Sequence, residues 1–186
     1  MTEKVEQKNV PTDVVLESEL HGVTPDMIDW WWVNIEKGYP LWEPEEHKSC
    51  VWEVPPGKDT HVGAIHIVEE SLGFGPVMKM RLRFEDLNTC PIPIDMEHAI
   101  LVAGLMPPDD KIIGYVLHQY ESASYGTRIR STSRLMLPLP PEANEGWKKH
   151  AGSEMKRFSQ FLPEFYKLWQ VVKDSEINRQ CSLKRK

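Results

Sequence analysis

The chain has 186 residues, 40% of them apolar and 27% charged, with a formal net charge of -6. That length suits one domain with a core or an internal cavity. The acidic balance argues against nucleic acid and anionic membrane as partners, and no apolar run approaches the roughly 20 residues of a membrane span. Residues 1–7 are charged and polar, without the apolar centre of a secretory signal. Cys50, Cys90 and Cys181 make neither a disulfide framework nor a thiolate metal motif, so the expected setting is reduced and cytoplasmic. Seven tryptophans and five tyrosines suit a core, or walls around a flat organic ligand.

Taken in chain order, residues 1 to about 16 are polar and read as frayed. Thr24-Pro25-Asp26 then predicts a helix start: a hydroxyl cap, a proline at the first helical position and an acid in the first turn. That helix carries Met27, Ile28 and Trp30 to Trp32 and should end near Lys37-Gly38. Residues 39–58 hold four prolines, two tryptophans and His47, and read as an ordered loop with room for one short strand.

Strand patterns follow. Over residues 61–70, Val62, Ala64, His66, Val68 and Glu70 share one face and Ile65 and Ile67 the other. After the Phe74-Gly75-Pro76 turn, residues 77–84 put Met78, Met80, Leu82 and Phe84 on one side. Residues 98–106, 111–121 and 127–137 are further strands, and the short connections favour an antiparallel meander. A helix capped by Asn144 should then run to about Lys173, kinked at Pro163. The element order predicts an α+β fold: a curved antiparallel sheet wrapped around a long C-terminal helix, with a cavity between them.

On a helical wheel, Trp147, Ala151, Phe158, Phe161, Leu162, Phe165, Leu168, Trp169 and Val172 gather on one side, and His150 and Glu154 fall inside that arc. A carboxylate on a buried face needs a cation, a donor network or a proton. The i, i+4 spacing lets an imidazole nitrogen and a carboxylate oxygen meet at one ion, at roughly 2.0–2.2 Å each for zinc. A plain His–Glu hydrogen bond in the core fits the same pattern. His47, Glu69, Glu70 and His118 are all candidate partners, and periodicity does not choose among them.

Several ordered segments narrow the choice. They are His21-Gly22-Val23-Thr24-Pro25-Asp26-Met27-Ile28-Asp29-Trp30-Trp31-Trp32, Tyr39-Pro40-Leu41-Trp42, Pro44-Glu45-Glu46-His47, Val62-Gly63-Ala64 with Glu70-Ser71-Leu72-Gly73, His118 with Tyr125-Gly126-Thr127-Arg128-Ile129-Arg130-Ser131, and His150-x-x-x-Glu154 before Phe161-Leu162-Pro163. Together, over roughly residues 20–170, they resemble the catalytic domain of the diacetylphloroglucinol hydrolase family, which includes phloretin hydrolase activity. The resemblance implies a Bet v 1-like (START-like) helix-grip fold and one zinc ion per chain held by two histidines and two glutamates. It also implies hydrolysis of a carbon–carbon bond in an acylated phenolic or polyketide-like small molecule, a retro-Claisen type of reaction.

Carried over motif by motif, the implied metal ligands are His47, Glu70, His150 and Glu154. His118, Lys58 and Tyr39 become the implied catalytic residues, with Lys58 or a tyrosine at the oxyanion and His118 carrying a proton to the ring carbon. Tyr39, Trp42, His66, Tyr120 and Tyr125 become the implied substrate contacts. Glu43 departs from the pattern, standing where relatives often carry histidine. The same pocket also suits a cyclase, isomerase or epimerase of secondary metabolism, or a non-catalytic ligand carrier. The expected organisation is a flexible segment over residues 1–18, one catalytic domain over 19–175 and a flexible tail over 176–186, with a homodimer left open.

Overall fold

The computed structural model describes residues 12–136 and 140–185. Seven antiparallel strands form one sheet in the order β1-β7-β6-β5-β4-β3-β2. They are β1 (Thr12–His21), β2 (His47–Val54), β3 (Ile65–Glu70), β4 (Met78–Glu85), β5 (His98–Met106), β6 (Lys111–Ala123) and β7 (Gly126–Leu135). From β2 to β7 the chain is a meander of sequential neighbours, as its short connections predict. The first two strands are adjacent in sequence yet lie at opposite edges. Between them run α1 (Pro25–Val33), a 3-10 turn over Ile35–Lys37 and the one-turn α2 (Tyr39–Trp42). The long α3 (Pro141–Trp169) closes the curved sheet.

The helix pair between the edge strands supplies much of the core. Thr24 caps α1 by accepting from the Met27 amide at 3.4 Å, with Pro25 at the start and Asp26 in the first turn. Trp30, Trp31, Trp32, Ile28 and Ile35 are all buried, packed against Met155, Phe158 and Leu162 of α3. Trp31 meets Phe158, Phe161 and Phe165 edge-on, with ring centres 5.9, 5.3 and 6.5 Å apart. Tryptophans at this density serve first as packing.

Two glycines fix how closely α3 approaches the sheet. Gly73, in the loop after β3, has φ +71°, and a Cβ there would lie 2.2 Å from the Gly146 carbonyl oxygen. A Cβ on Gly146 would in turn lie 2.7 Å from the Gly73 carbonyl oxygen. The start of α3 therefore rests directly on the backbone that follows Glu70, an approach only glycine allows.

Several expected boundaries differ. Residues 12–18 are not frayed: β1 pairs with β7 from Thr12↔Leu135 to His21↔Gly126. Val14 and Leu20 are buried on an alternating face that Leu16 and Ser18 share. Residues 39–58 contain a helical turn and an eight-residue strand rather than a loop, because Pro40 falls at a helix start and Pro44, Pro55 and Pro56 lie outside the β2 ladder. The third strand starts at Ile65 rather than residue 61. The first helix gives way to the 3-10 turn after Val33, and α3 starts at Pro141 with Pro140 as its cap, ahead of Asn144, and ends at Trp169. Leu168, at the margin of the apolar stripe, is 68% exposed.

The tail is also anchored. Asn178 and Leu183 are buried. Asn178 accepts from Trp30 Nε1 at 2.6 Å, the Leu183 amide donates to Asp29 Oδ2 at 2.9 Å, and Lys184 bridges to His98 at the start of β5. These partners come from α1 and β5, so tail residues that carry no periodic pattern are held by specific hydrogen bonds. No helix among the described residues is long and apolar enough to cross a membrane.

Candidate metal centre and cavity

Between α3 and the sheet lies a cavity of about 200 Å³. Most of its wall is apolar, including Trp32, Trp42, Met80, Leu82 and Val102, and its polar wall includes Tyr39, His66, Glu70, His118, His150 and Glu154.

His47, Glu70, His150 and Glu154 are buried at one end of this space, and one ligand atom from each lies within 4.8 Å of all the others. Three local features bring them together. A register shift between His47 and Ser49 sets His47 directly opposite Glu70 across β2 and β3, the separation at which cross-strand side chains touch. One turn of α3 aligns His150 with Glu154. The Gly73–Gly146 contact sets that turn over the end of β3.

The hydrogen bonds reveal which nitrogen faces inward. His47 Nδ1 lies 3.1 Å from the Tyr39 carbonyl oxygen. A carbonyl only accepts, so Nδ1 carries a proton and Nε2 is the nitrogen turned toward the carboxylates. His150 Nδ1 donates likewise to Glu46 Oε2. His47 Nε2 lies 2.9 Å from Glu70 Oε2 and 3.2 Å from Glu154 Oε1. His150 Nε2 lies 3.7 and 3.6 Å from the same two oxygens. Despite the short distances, His47 Nε2 makes no properly directed hydrogen bond among the described residues. The inner nitrogens of two imidazoles and two carboxylates thus converge in a buried space, an arrangement that requires positive charge at its centre, as a metal ion or as protons.

The protonation equilibria carry the same demand. Burial opposes charge on His47, but close contact with the Glu154 and Glu70 carboxylates outweighs it and holds the pKa up at about 10. His150 is also raised, because attraction to Glu154 and Glu70 and its bond to Glu46 overcome burial. Burial pushes Glu70 up, yet His47, His150 and the Tyr39 hydroxyl bring it below the usual carboxylate value. Tyr39 OH donates to Glu70 Oε2 at 2.5 Å, its ring stacks on His47 at 4.0 Å, and burial beside Glu70 keeps its proton on. A donor set of two imidazoles and two carboxylates, each histidine oriented through its other nitrogen, fits a divalent metal such as zinc.

The remaining expected residues divide. His118 lines the cavity, stacked on Trp32 at 4.6 Å. Its Nδ1 bonds Ser131 Oγ at 2.8 Å, while that hydroxyl points to Met155 Sδ at 3.6 Å, and burial lowers its pKa to about 3. Trp42 lines the cavity and donates from Nε1 to the Glu154 carbonyl at 2.9 Å. His66 lines it from β3.

Lys58, Tyr120 and Tyr125 lie elsewhere. Lys58 is exposed in the turn after β2, where water solvates its ammonium group. Tyr120 is buried and donates to Asp29 Oδ1 at 2.6 Å, outside the cavity wall. Tyr125 sits in the β6–β7 hairpin against His21, with ring centres 5.0 Å apart. Residues missed by sequence reasoning are Glu46, which orients His150, and Ser131, which orients His118. Adjacency of Glu46 to His47 was the available signal. Glu43 is buried as well, accepting from Ser153 Oγ and from Arg157 Nε on α3.

Comparison with known proteins adds the family. The model of the DAPG hydrolase PhiG domain matches residues 11–135, more than half of the chain. The chain belongs to this family. The DAPG hydrolase domain suggests hydrolase-type function, and its buried His/Glu group can bind a metal. No curated protein matches the sequence.

Among solved structures, the Thermus thermophilus protein TTHA0849 is similar with a TM-score of 0.60 and 13% identity over 83% of this chain and 99% of that one. Major latex-like protein 151 from Panax ginseng is similar at 0.58 and 11%, over 81% and 96%. Ara h 8.0201 is similar at 0.55 and 16%, over 83% and 99%. These likenesses establish the Bet v 1-like fold, as the α+β reading expected.

Proposed function

We propose that this chain is a zinc-dependent hydrolase that cleaves a carbon–carbon bond between an acyl group and a phenolic or polyketide-like ring. The observation that carries this reading is the convergence of two imidazole nitrogens and two carboxylates in a largely apolar cavity. His47, Glu70, His150 and Glu154 would hold the ion, and the family match supports a hydrolytic use of it. When bound, zinc supplies Lewis acidity, which activates water and polarises a carbonyl.

The protein's own groups do the rest. The apolar wall and Trp32 and Trp42 bind the ring and exclude bulk water. Tyr39, its hydroxyl proton retained, holds Glu70 in place and offers a polar edge beside the acyl group. His118 is neutral near pH 7, and Ser131 accepts from its Nδ1, leaving Nε2 to accept a hydrogen bond from the attacking water and orient it. The water oxygen joins the acyl carbon, the bond to the ring breaks, and the water's proton passes to the ring carbon. The products are a carboxylic acid and the deacylated ring. Strand β1 and the anchored tail belong to the proposed catalytic unit.

Glu154→Gln tests the reading, with metal content, folding and turnover of acetylphloroglucinol measured together. The expected variant is folded, loses its metal and no longer releases acetate. Unchanged turnover would overturn the proposal, and a product of unchanged mass would mark an isomerase or cyclase.

A further inference from the structure

Four ligand side chains drawn from β2, β3 and α3 share one point only while those three elements keep a fixed spacing. Glu70 on β3 and Glu154 on α3 carry like charges, so they push these elements apart until a cation or a proton sits between them. The turn between α2 and β2, residues 43–46, is bonded to all three elements. The Glu43 carbonyl oxygen accepts from the His47 amide at 2.8 Å and from the Glu46 amide at 3.1 Å, which sets where β2 begins. The Glu46 carbonyl accepts at 3.2 Å from the Ser71 amide, one residue beyond Glu70. Toward α3, His150 Nδ1 donates to the Glu46 carboxylate.

Glu43 joins two of these holds in a single residue. Its main chain carries the amide of one ligand, His47. Its side chain, 4% exposed as a residue, crosses to α3 and accepts from Ser153 Oγ and from Arg157 Nε at 3.4 Å. Ser153 stands between His150 and Glu154 in the chain, and Arg157 follows one turn later. A carboxylate this deeply buried is costly unless donors hold it. Here both donors belong to the stretch of α3 that carries the ligands. Burial pushes its pKa up, yet Ser153 and Arg157 hold it below the usual carboxylate value. Glu43 is not among the four side chains that reach the common point, so its influence on the ion passes through others.

We propose that Glu43 is a positioning residue of the metal centre, tying His47 to the His150–Glu154 turn of α3 so that the ligands stand ready before the ion arrives. The assignment rests on the metal reading given above. It adds a residue that sets the spacing of the ligands without touching the ion, and binding is tighter when that spacing is fixed in advance.

The test uses the purified full-length protein. Zinc affinity is measured by competition with a chromophoric chelator, and the arrangement of the ligands is read from the visible absorption of bound Co2+. Glu43→Ala should bind zinc about tenfold to a hundredfold more weakly, with a displaced or broadened Co2+ band. Ser153→Ala breaks the same contact from the α3 side with a residue that favours helix, and should weaken binding in the same direction. Because the two changes remove one shared contact, the loss in the double variant should fall short of the two single losses multiplied together. Thr24→Ala removes the cap of α1 and leaves the turn intact. It should lower the melting temperature while keeping the wild-type zinc affinity and Co2+ spectrum. Wild-type affinity and spectrum in Glu43→Ala, an equal loss of affinity in Thr24→Ala, or fully independent losses in the double variant would each overturn the assignment. Should Glu43→Ala not fold, Ser153→Ala and Arg157→Gln, each removing one donor, decide by the same two readings. A wild type that takes up neither ion overturns the metal reading and this assignment with it. A wild type that binds both, with Glu43→Ala indistinguishable from it, overturns the positioning role alone.

Discussion

The interior contains two clusters with nearly the same ingredients and opposite states of completion. One is Asp29, His98 and Tyr120, where α1 meets β5, β6 and the tail. Asp29 accepts from Tyr120 OH at 2.6 Å, from His98 Nδ1 at 3.0 and 3.1 Å, and from the Leu183 amide at 2.9 Å. The other is His47, Glu70, His150 and Glu154, with Tyr39 beside it. Here the outer nitrogens are bonded and the inner ones face carboxylates without a directed proton. Histidine, acid and tyrosine in a buried place therefore do not distinguish structure from function. What distinguishes them is whether donors and acceptors balance. The first cluster balances and reads as a fastening. The second balances only around a cation and reads as a receptacle.

Three substitutions bear on that contrast. Asp29→Ala should have the largest effect on stability, about 3–5 kcal/mol in chemical unfolding, because it strands the Tyr120 hydroxyl, His98 and the Leu183 amide together. The metal content of the surviving folded fraction should stay at the wild-type level. Metal lost in parallel with stability would show that the two clusters are coupled. An intermediate cost, about 1–3 kcal/mol, is expected for Gly146→Ala, whose new methyl meets the Gly73 carbonyl. That change displaces α3 from β3, so divalent-ion affinity measured by calorimetry should weaken with it. Smallest in stability is Glu70→Gln, about 1 kcal/mol when metal-free wild type is the reference, because the amide keeps a partner for the Tyr39 hydroxyl and loses only the charge that faces His47 and His150. Elemental analysis should nevertheless find the ion lost. A metal-free Glu70→Gln protein as unstable as Asp29→Ala would erase the distinction between fastening and receptacle.

Legibility in the sequence followed the range of the interactions. The alternation of Ala64, His66, Val68 and Glu70 and the one-turn spacing of His150 and Glu154 are local, and both reappear as inward faces. The pairing of His47 with Glu70 depends on a one-residue register shift inside a proline-rich stretch, which periodicity does not register; only the family motifs pointed to it. The alternation of Val14, Leu16, Ser18 and Leu20 was present in β1, but the charged residues between them resembled a frayed end. The resemblance implies Tyr120 as a substrate contact, whereas its hydroxyl is taken by Asp29, 91 residues away, which no local pattern shows. Lys58 is implied only by the resemblance and stands outside every quoted segment; it is exposed after β2.

The Leu183–Asp29 bond also says something about the order of events as the chain folds. It closes over 154 residues, and β1 likewise waits for β7 before it can pair. The hairpins from β2 to β7, by contrast, form between sequence neighbours. Local contacts form early, because distant ones must first overcome the entropy of closing long loops. The meander is thus expected to assemble while Asp29 still lacks one donor, and the docking of the tail to complete that carboxylate last. A slow final phase in refolding, absent when Asp29 is replaced, would be its kinetic signature.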